Sequence, residues 1–173
     1  MPDPLVIRRY RDSDHQQARQ LFIDVNRLLA PAHLKAAFES YIARSLAEEI
    51  DIIEDYYRRH SGSFWVCEMA TEIVGMMGLE RHGDDDLELR RMYVDPDRRR
   101  QGIAAQMLDF AEAQSRREGA TRLFLSTSEL QQAALAFYRA RGYLLLREEV
   151  ADASSNKTIG GGIRRYYFAK SLT

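Results

Sequence analysis

The amino-acid sequence predicts an α/β (α+β) domain with a mixed, mostly antiparallel sheet of about seven strands, flanked by about four helices. Short apolar runs bounded by turn residues indicate the strands. Longer stretches with apolar residues every three or four positions indicate amphipathic helices. A strand–helix–strand unit near the centre of the chain indicates one parallel pair of strands. The chain has 173 residues and no evident linker or repeat, so we expect a single domain over residues 1–173.

Composition and charge narrow the class of protein. The net charge of −1 provides no basic footprint for nucleic acid. The sequence contains no run of about 18 apolar residues that would span a membrane, and its start lacks the apolar segment of a signal peptide. The single cysteine, Cys67, excludes an intrachain disulfide, and the four histidines lack metal-ligand spacing. We therefore expect a cytoplasmic protein without a metal, a membrane or a nucleic-acid partner.

The N-terminal third is predicted to hold one strand and two helices. Residues 4–10 are typical of a strand. Ser13 and Gln16 form a capping-box pattern that predicts the start of the first helix. A second amphipathic pattern runs from Leu34 to Tyr57, and its outer face is strongly charged. The pattern is also compatible with one break near Glu48.

The middle of the chain is predicted to form an antiparallel meander. Residues 64–69 are nearly all apolar, so we expect this strand to be covered on both faces. The next strand, residues 72–79, contains Gly75 and Gly78, which indicate a bulge or a close approach of another group. A third strand, residues 87–94, follows an acidic loop. The connections are too short for crossovers, so the three strands should be antiparallel.

The C-terminal half supplies the predicted parallel pair. A helix from Ile103 to about Arg117 is followed by a strand from Thr121 to Ser126, which we expect to lie parallel to the strand before the helix. Ser128 and Gln131 form a capping-box pattern that opens a helix through Arg141. The remaining segments are a strand from Tyr143 to Glu149, a mobile loop or long hairpin from Ala151 to Gly162, and a last strand from Arg164 to Lys170.

The stretch from Met92 to Ala104 indicates an anion site. Asp95 and Pro96 turn the chain after a strand, and three arginines and Gly102 then precede a helix. A helix N-terminus presents unpaired N–H groups and a partial positive charge, and a glycine lets the main chain approach a ligand closely. These features predict binding of a phosphate or pyrophosphate. The alternative is an ordinary strand–turn–helix unit whose arginines are solvated.

Two motifs carry a family resemblance. Residues 94–104 match the pattern of Arg or Gln, two residues, Gly, one residue, then Gly or Ala, and residues 134–143 match Ala-x-x-x-Tyr-x-x-x-Gly-aromatic. With the order of elements, they make nearly the whole chain resemble the GNAT superfamily of acyl-CoA-dependent N-acetyltransferases. Residues 63–68 and 125–128 are also similar to its camello-like branch. That branch carries a hydrophobic membrane segment where this chain has the charged pattern of residues 34–57, so we expect no membrane association.

The resemblance implies a single N-acetyltransferase domain with acetyl-CoA as the acyl-donor cosubstrate and no metal. The pyrophosphate would lie on the main-chain N–H groups of residues 99–104, and the pantetheine amides would pair with the main chain of Met92 and Val94. For Gln131, helix capping is an equally good interpretation. The expected cofactor-binding residues are Met92, Tyr93, Val94, Arg99, Arg100, Gln101, Gly102, Ile103, Ala104, Gln131, Ala134 and Phe137.

Tyr138 and Glu88 are the expected catalytic residues. By the resemblance, the Tyr138 hydroxyl would donate a hydrogen bond to the departing CoA thiolate; the alternative is a tyrosine of the core. The ordinary pKa values of tyrosine and thiol, about 10 and 8.5, make full proton transfer unfavourable. Glu88 is the candidate base, and strand alternation places it on the same face as Met92 unless a bulge intervenes. Glu80 or a chain of water molecules is the alternative base.

The implied reaction moves an acetyl group to a primary amine of a small molecule or peptide by direct attack in a ternary complex. The first two helices and the segment from residue 151 to 162 would wall the acceptor cleft. A second copy of the chain is the candidate protein partner. The alternatives are a CoA-binding sensor that has lost catalysis and a nucleic-acid protein that uses residues 98–100, although the near-neutral net charge argues against the latter.

Overall fold

The computed structural model describes residues 3–173. Its strands are β1 Val6–Arg9, β2 Ser63–Met69, β3 Glu72–His82, β4 Asp86–Val94, β5 Arg122–Ser128, β6 Leu144–Ala151 and β7 Ile163–Ser171. Its α-helices are α1 His15–Leu29, α2 Lys35–Glu48, α3 Ile53–Arg59, α4 Ile103–Arg117 and α5 Gln132–Ala140. The seven strands form one sheet in the order β1-β2-β3-β4-β5-β7-β6. The predicted fold class is therefore confirmed.

Strand directions also follow the prediction. Strands β2, β3 and β4 form an antiparallel meander, and β4 pairs with β5 in parallel. The remaining neighbours are antiparallel. The parallel pair arises because α4 carries the chain from the end of β4 to the start of β5, as the strand–helix–strand pattern predicts.

The start of α1 differs from the prediction. The helix begins at His15 after a 3₁₀ turn over Asp12–Asp14, and the capping box of Ser13 and Gln16 is not formed. Instead the buried carboxylate of Asp14 receives the guanidinium of Arg8 at 2.8 Å and the main-chain N–H of Arg11 at 2.9 Å. The charge-assisted bond to β1 is stronger than a bond between neutral groups, so it decides where the helix begins.

The break near Glu48 is confirmed. Helix α2 ends at Glu48, a 3₁₀ turn follows over Ile50–Ile52, and α3 begins at Ile53. The break turns the side chain of Glu49 inward, where none of it is exposed. Glu49, which the charged pattern of residues 34–57 placed near the solvated face, therefore lies in the interior.

The sheet separates two apolar cores. One core packs α4 and α5 against the sheet and contains Trp65, Met107 and Tyr138. The other packs α1, α2 and α3 against the opposite face and contains Phe22 and Phe64. Strand β2 contributes to both cores, which confirms the prediction that it is covered on both faces.

The glycines of β3 mark close approaches, as predicted. A Cβ at Gly78 would lie 2.3 Å from the hydroxyl oxygen of Tyr57, and one at Gly75 would lie 3.0 Å from the sulfur of Met107. Glycine at these positions lets a helix pack closely on each face of the sheet. Among residues 3–173, every helix is too short or too polar to cross a lipid bilayer.

Candidate active site

A bulge in β4 determines which side chains reach each face of the sheet. Gly78 pairs with Arg90 and Met76 with Tyr93, so Arg91 and Met92 together lie opposite one residue of β3, and Arg91 has a φ of +54°. A non-glycine residue keeps this conformation only where its surroundings impose it. The bulge lets two consecutive arginines, Arg90 and Arg91, reach the same buried carboxylate.

That carboxylate belongs to Glu49. Arg91 donates to it at 3.0 and 3.1 Å, Arg90 lies 2.9 Å away, and the hydroxyl of Tyr57 donates at 2.8 Å. Arg90 also contacts the buried carboxylate of Glu80 at 2.8 Å. Two guanidiniums and two carboxylates therefore neutralise one another in the interior, which is the condition for burying charge.

A cleft lies beside this charged network, where strands β4 and β5 separate. The two strands pair at three positions, from Asp86↔Arg122 to Glu88↔Phe124, and then separate. The separation leaves one edge of the second half of β4 without β5 as a partner within the described chain. A cavity of about 130 Å³ lies in the gap, and its lining includes Met92, Tyr138 and Glu88.

Tyr138 lies at this cavity with its hydroxyl 3.7 Å from the sulfur of Met92, to which it donates. The side chain is buried between the ring of Phe137 and the ring of Tyr143. Burial raises the pKa of Tyr138 well above its ordinary value, with a smaller contribution from Tyr93. The hydroxyl therefore keeps its proton at neutral pH and can donate a hydrogen bond into the cavity.

Glu88 lies in the cavity wall but not on the face predicted for it. The expected alternation with Met92 is broken by the bulge, so Met92 packs with the α4–α5 core while Glu88 lies near Arg90 on the opposite face. Its carboxylate is 2.9 Å from Nε2 of His82 and 21% exposed. The other candidate base, Glu80, is 6% exposed and bound to Arg90 and Tyr56. Glu88 is thus the more accessible carboxylate.

The three arginines before α4, Arg98 to Arg100, differ in their contacts. Arg98 contacts Glu72 of β3 at 3.2 Å, whereas Arg99 and Arg100 are exposed and form no ion pair within residues 3–173. Gly102 is the N-cap of α4 with a φ of +76°, and it has no side chain to bond the first N–H groups of the helix. Those N–H groups are therefore available to an anion, as the sequence predicts.

The remaining predicted cofactor residues divide between the cavity and its surroundings. Met92, Tyr93, Gln131 and Ala134 line the cavity. The carbonyl oxygen of the Gln131 side chain accepts from Thr127 Oγ1 at 2.8 Å and from the main-chain N–H of Ser128 at 3.5 Å, which is half of the predicted capping box. The other half is absent from the described chain, since Ser128 Oγ bonds to the N–H of Leu130. Residues outside the cavity lining are Val94, Arg99, Arg100, Gln101, Gly102, Ile103, Ala104 and Phe137.

Sequence reasoning missed the charged residues around the cavity. Glu49, Arg90 and Arg91 were not predicted as site residues, and neither were His82 and Lys157. Two adjacent arginines inside a strand with buried apolar neighbours were the available signal, because buried guanidiniums require carboxylate partners. The carboxylate partner itself lies 41 and 42 residues away in the sequence, so local pattern did not identify it.

Comparison with known proteins assigns the family. The model of the acetyltransferase (GNAT) family matches residues 28–143, which is more than half of the chain. The chain belongs to the GNAT family. Human N-acetyltransferase 8 is 30% identical over 115 residues, which are 63% of this chain and 51% of that protein. A probable N-acetyltransferase named camello from Xenopus laevis is 30% identical over 109 residues, 61% of this chain and 50% of its own.

The GNAT assignment agrees with the fold. The structure of PaiA N-acetyltransferase from Thermoplasma acidophilum, solved in complex with coenzyme A, superposes with a TM-score of 0.73 at 17% identity and covers 97% of this chain and 99% of its own. This GNAT chain spans about half the length of the curated relatives it matches. The predicted family and its camello-like likeness are confirmed.

The buried carboxylate provides a stability prediction. We expect Glu49→Gln to lower the free energy of unfolding by about 3–5 kcal/mol, because the guanidinium of Arg91 would stay buried without a carboxylate. Urea unfolding at neutral pH measures this change. The control is Glu39→Gln, whose carboxylate contacts Arg27 at 2.9 Å on the surface and should contribute little. Equally small effects of the two substitutions would contradict a role for Glu49 in holding the bulge.

The wild type and Glu49→Gln should also differ in their response to acid. Burial by itself would raise the pKa of Glu49, but the guanidiniums of Arg91 and Arg90 outweigh it and hold the pKa below its ordinary value. Such a group stabilises the fold above the unfolded pKa of about 4.3 and loses that contribution as the pH falls through the folded pKa. The melting temperature of the wild type should therefore fall more steeply in acid than that of Glu49→Gln.

Proposed function

We propose that this GNAT protein is an acyl-CoA-dependent N-acetyltransferase, a single domain over residues 1–173, that moves an acetyl group from acetyl-CoA to a primary amine in a ternary complex. One observation carries the proposal: a protonated tyrosine hydroxyl and an accessible carboxylate, those of Tyr138 and Glu88, line one cavity at the separation of β4 and β5. Family membership supports the reaction class. The cytoplasmic location and the absence of nucleic-acid partners stay predictions from the sequence.

The chain offers two surfaces for the donor. The uncapped N-terminus of α4 at Gly102, with the exposed guanidiniums of Arg99 and Arg100, suits the pyrophosphate. The unpaired edge of β4 after Glu88 suits the pantetheine amides, which would add to the sheet as a further strand does. Solved neighbours with the same fold include a coenzyme A complex, which supports the donor class.

Three groups of the chain take part in the proposed reaction. An acceptor amine arrives as an ammonium, and Glu88 takes its proton so that nitrogen can attack the thioester carbonyl. A main-chain N–H of Met92 or Val94 donates to the oxyanion. The C–S bond then breaks, the tyrosine hydroxyl donates a hydrogen bond to the leaving CoA thiolate, and the second proton lost by the nitrogen passes to that thiolate. Because burial raises the pKa of Tyr138, hydrogen bonding is favoured over complete proton transfer.

The acceptor is proposed to be cationic. The carboxylates of Glu80 and Glu88 each lie 3.7 Å from the ammonium of Lys157, whose side chain lines the cavity. Glu80 is neutralised by Arg90 at 2.8 Å, so the attraction for a positive charge comes mainly from Glu88, which lies 3.6 Å from Arg90. A primary amine of a small molecule or peptide meets this requirement.

Tyr138→Phe tests the catalytic hydroxyl. We expect turnover to fall about ten- to a thousandfold with acetyl-CoA affinity nearly unchanged, because the lost bond forms only as the thiolate departs. Free-thiol release with a panel of amines measures turnover, and thermal shift with acetyl-CoA measures binding. Tyr143→Phe is the matched control, since its buried hydroxyl bonds to Glu112 away from the cavity. If acetyl-CoA stabilises the wild type but no amine releases thiol, the protein is a CoA-binding sensor instead.

Glu88→Gln tests the base. As the general base, Glu88 should give the wild-type rate an acid limb, and the amide variant should be slow with that limb missing. The measurement is the pH dependence of kcat/KM with one amine acceptor. An unaltered profile would remove Glu88 from the mechanism. In that case the same measurement on Glu80→Gln examines the second carboxylate.

Gly102→Asp tests the pyrophosphate site. A carboxylate at the N-cap would occupy the free N–H groups of α4 and repel the phosphates, so we expect acetyl-CoA affinity about tenfold lower, or about 1.4 kcal/mol. Gly102→Asn is the control, because it has the same shape without the charge, and both residues tolerate the left-handed conformation. Equal affinities for the two variants would place the pyrophosphate elsewhere.

A further inference from the structure

The segment between β6 and β7, residues 152–162, is held against the cleft. The guanidinium of Arg91 donates to the main-chain oxygen of Asn156, and that of Arg44 donates to the main-chain oxygen of Ser154 at 2.6 Å. Ile159 is buried in the α1–α3 core. These anchors fix the segment on both sides of Lys157, so the direction in which Lys157 projects is determined by the fold.

Lys157 projects to the two carboxylates of the proposed acceptor site. Its ammonium lies 3.7 Å from Oε1 of Glu80 and 3.7 Å from Oε2 of Glu88. The side chain lines the same cavity as Met92 and Tyr138. A primary amine of the chain itself therefore stands beside Glu88, the carboxylate proposed to take the proton of an external amine.

The charge balance explains what holds the ammonium there. Glu80 is already neutralised by Arg90 at 2.8 Å, whereas Glu88 lies 3.6 Å from Arg90. The side chain of Lys157 is 43% exposed, so water can still reach its ammonium. Arginine would satisfy the same carboxylates, and the chain uses 22 arginines but only three lysines. Unlike a guanidinium, a lysine ammonium can give a proton to a base and so become a nucleophile.

We propose that Lys157 is a self-acetylation site and that its ammonium occupies the acceptor position until it is modified. This inference rests on the proposed acetyltransferase function. Glu88 accepts one proton from the ammonium, and the amine nitrogen then attacks the thioester carbonyl carbon of acetyl-CoA. The new C–N bond forms, the C–S bond breaks, and the second proton lost by nitrogen passes to the CoA thiolate. The products are acetyl-Lys157, free CoA and one proton carried by Glu88.

Acetylation changes what the segment does. The amide product has no charge, so the attraction to Glu80 and Glu88 is lost. The carboxylates then face an open acceptor position. Self-acetylation of Lys157 therefore converts an occupied cleft into one that accepts an external amine.

Peptide mass spectrometry tests the modification directly. The full chain is incubated with acetyl-CoA, and acetylation of Lys157 is followed over time beside that of Lys35, which is exposed on α2 and reports non-enzymatic transfer. We expect Lys157 to react at least about tenfold faster than Lys35, because the fold holds its amine in the cleft. Tyr138→Phe should remove this excess, and Lys157→Arg should remove the modified peptide while keeping the positive charge.

A second variant tests occupancy. The small amine n-butylamine reproduces the lysine side chain, and Lys157→Ala vacates the position. At subsaturating n-butylamine we expect the initial rate of N-butylacetamide formation by this variant to be about tenfold higher than that of the wild type before its Lys157 is acetylated, since the acceptor no longer competes with Lys157.

The outcomes separate this inference from the proposed function. If n-butylamine is acetylated while Lys157 reacts no faster than Lys35, the inference is wrong and the acetyltransferase function stands. If neither Lys157 nor any external amine is acetylated although acetyl-CoA binds, both are wrong.

Discussion

The structure depends on one buried interaction, in which the carboxylate of Glu49 lies between the guanidiniums of Arg90 and Arg91. Consecutive residues of a regular strand point to opposite faces, so one carboxylate meets both arginines only where the strand is bulged. The left-handed backbone of Arg91 is the cost of that bulge. The Glu49 carboxylate stabilises this conformation because it neutralises the two buried guanidiniums.

The bulge divides the chemistry between the two faces of the sheet. Beyond it, Met92 lies with Tyr138 in the α4–α5 core, while Glu88 and Arg90 lie on the face covered by α1, α2 and α3. Because β4 and β5 separate after Glu88, the two sets of groups meet in the gap between these strands. In the proposed reaction, a donor that enters from the side of α4 and an amine that enters from the side of α1, α2 and α3 would meet in this gap.

The segment before β7 belongs to the same network. Asn156 bonds both to Arg91 and, at 3.5 Å, to Glu49, so the residues that hold the bulge also hold the loop. Lys157 follows directly and reaches Glu80 and Glu88. The strand, the break between α2 and α3, and the loop are thus joined by charged contacts, and Lys157 belongs to the same network.

Local sequence pattern determined the fold class, the order of the strands in the meander, the parallel pair of strands and the turn of three arginines before α4. Each of these depends on the spacing of apolar residues, on short turns or on residues close in sequence. The two motifs, residues 94–104 and 134–143, together with the order of elements, likewise indicated the family from the sequence alone. Only the tertiary structure decided which face Glu88 occupies, where α1 begins and which carboxylate compensates the adjacent arginines. Those outcomes depend on pairings between residues of different elements, such as Arg91 with Glu49, 42 positions apart, and Arg8 of β1 with Asp14 in the turn before α1. Buried charges select such partners by three-dimensional proximity, which neither spacing nor hydropathy encodes.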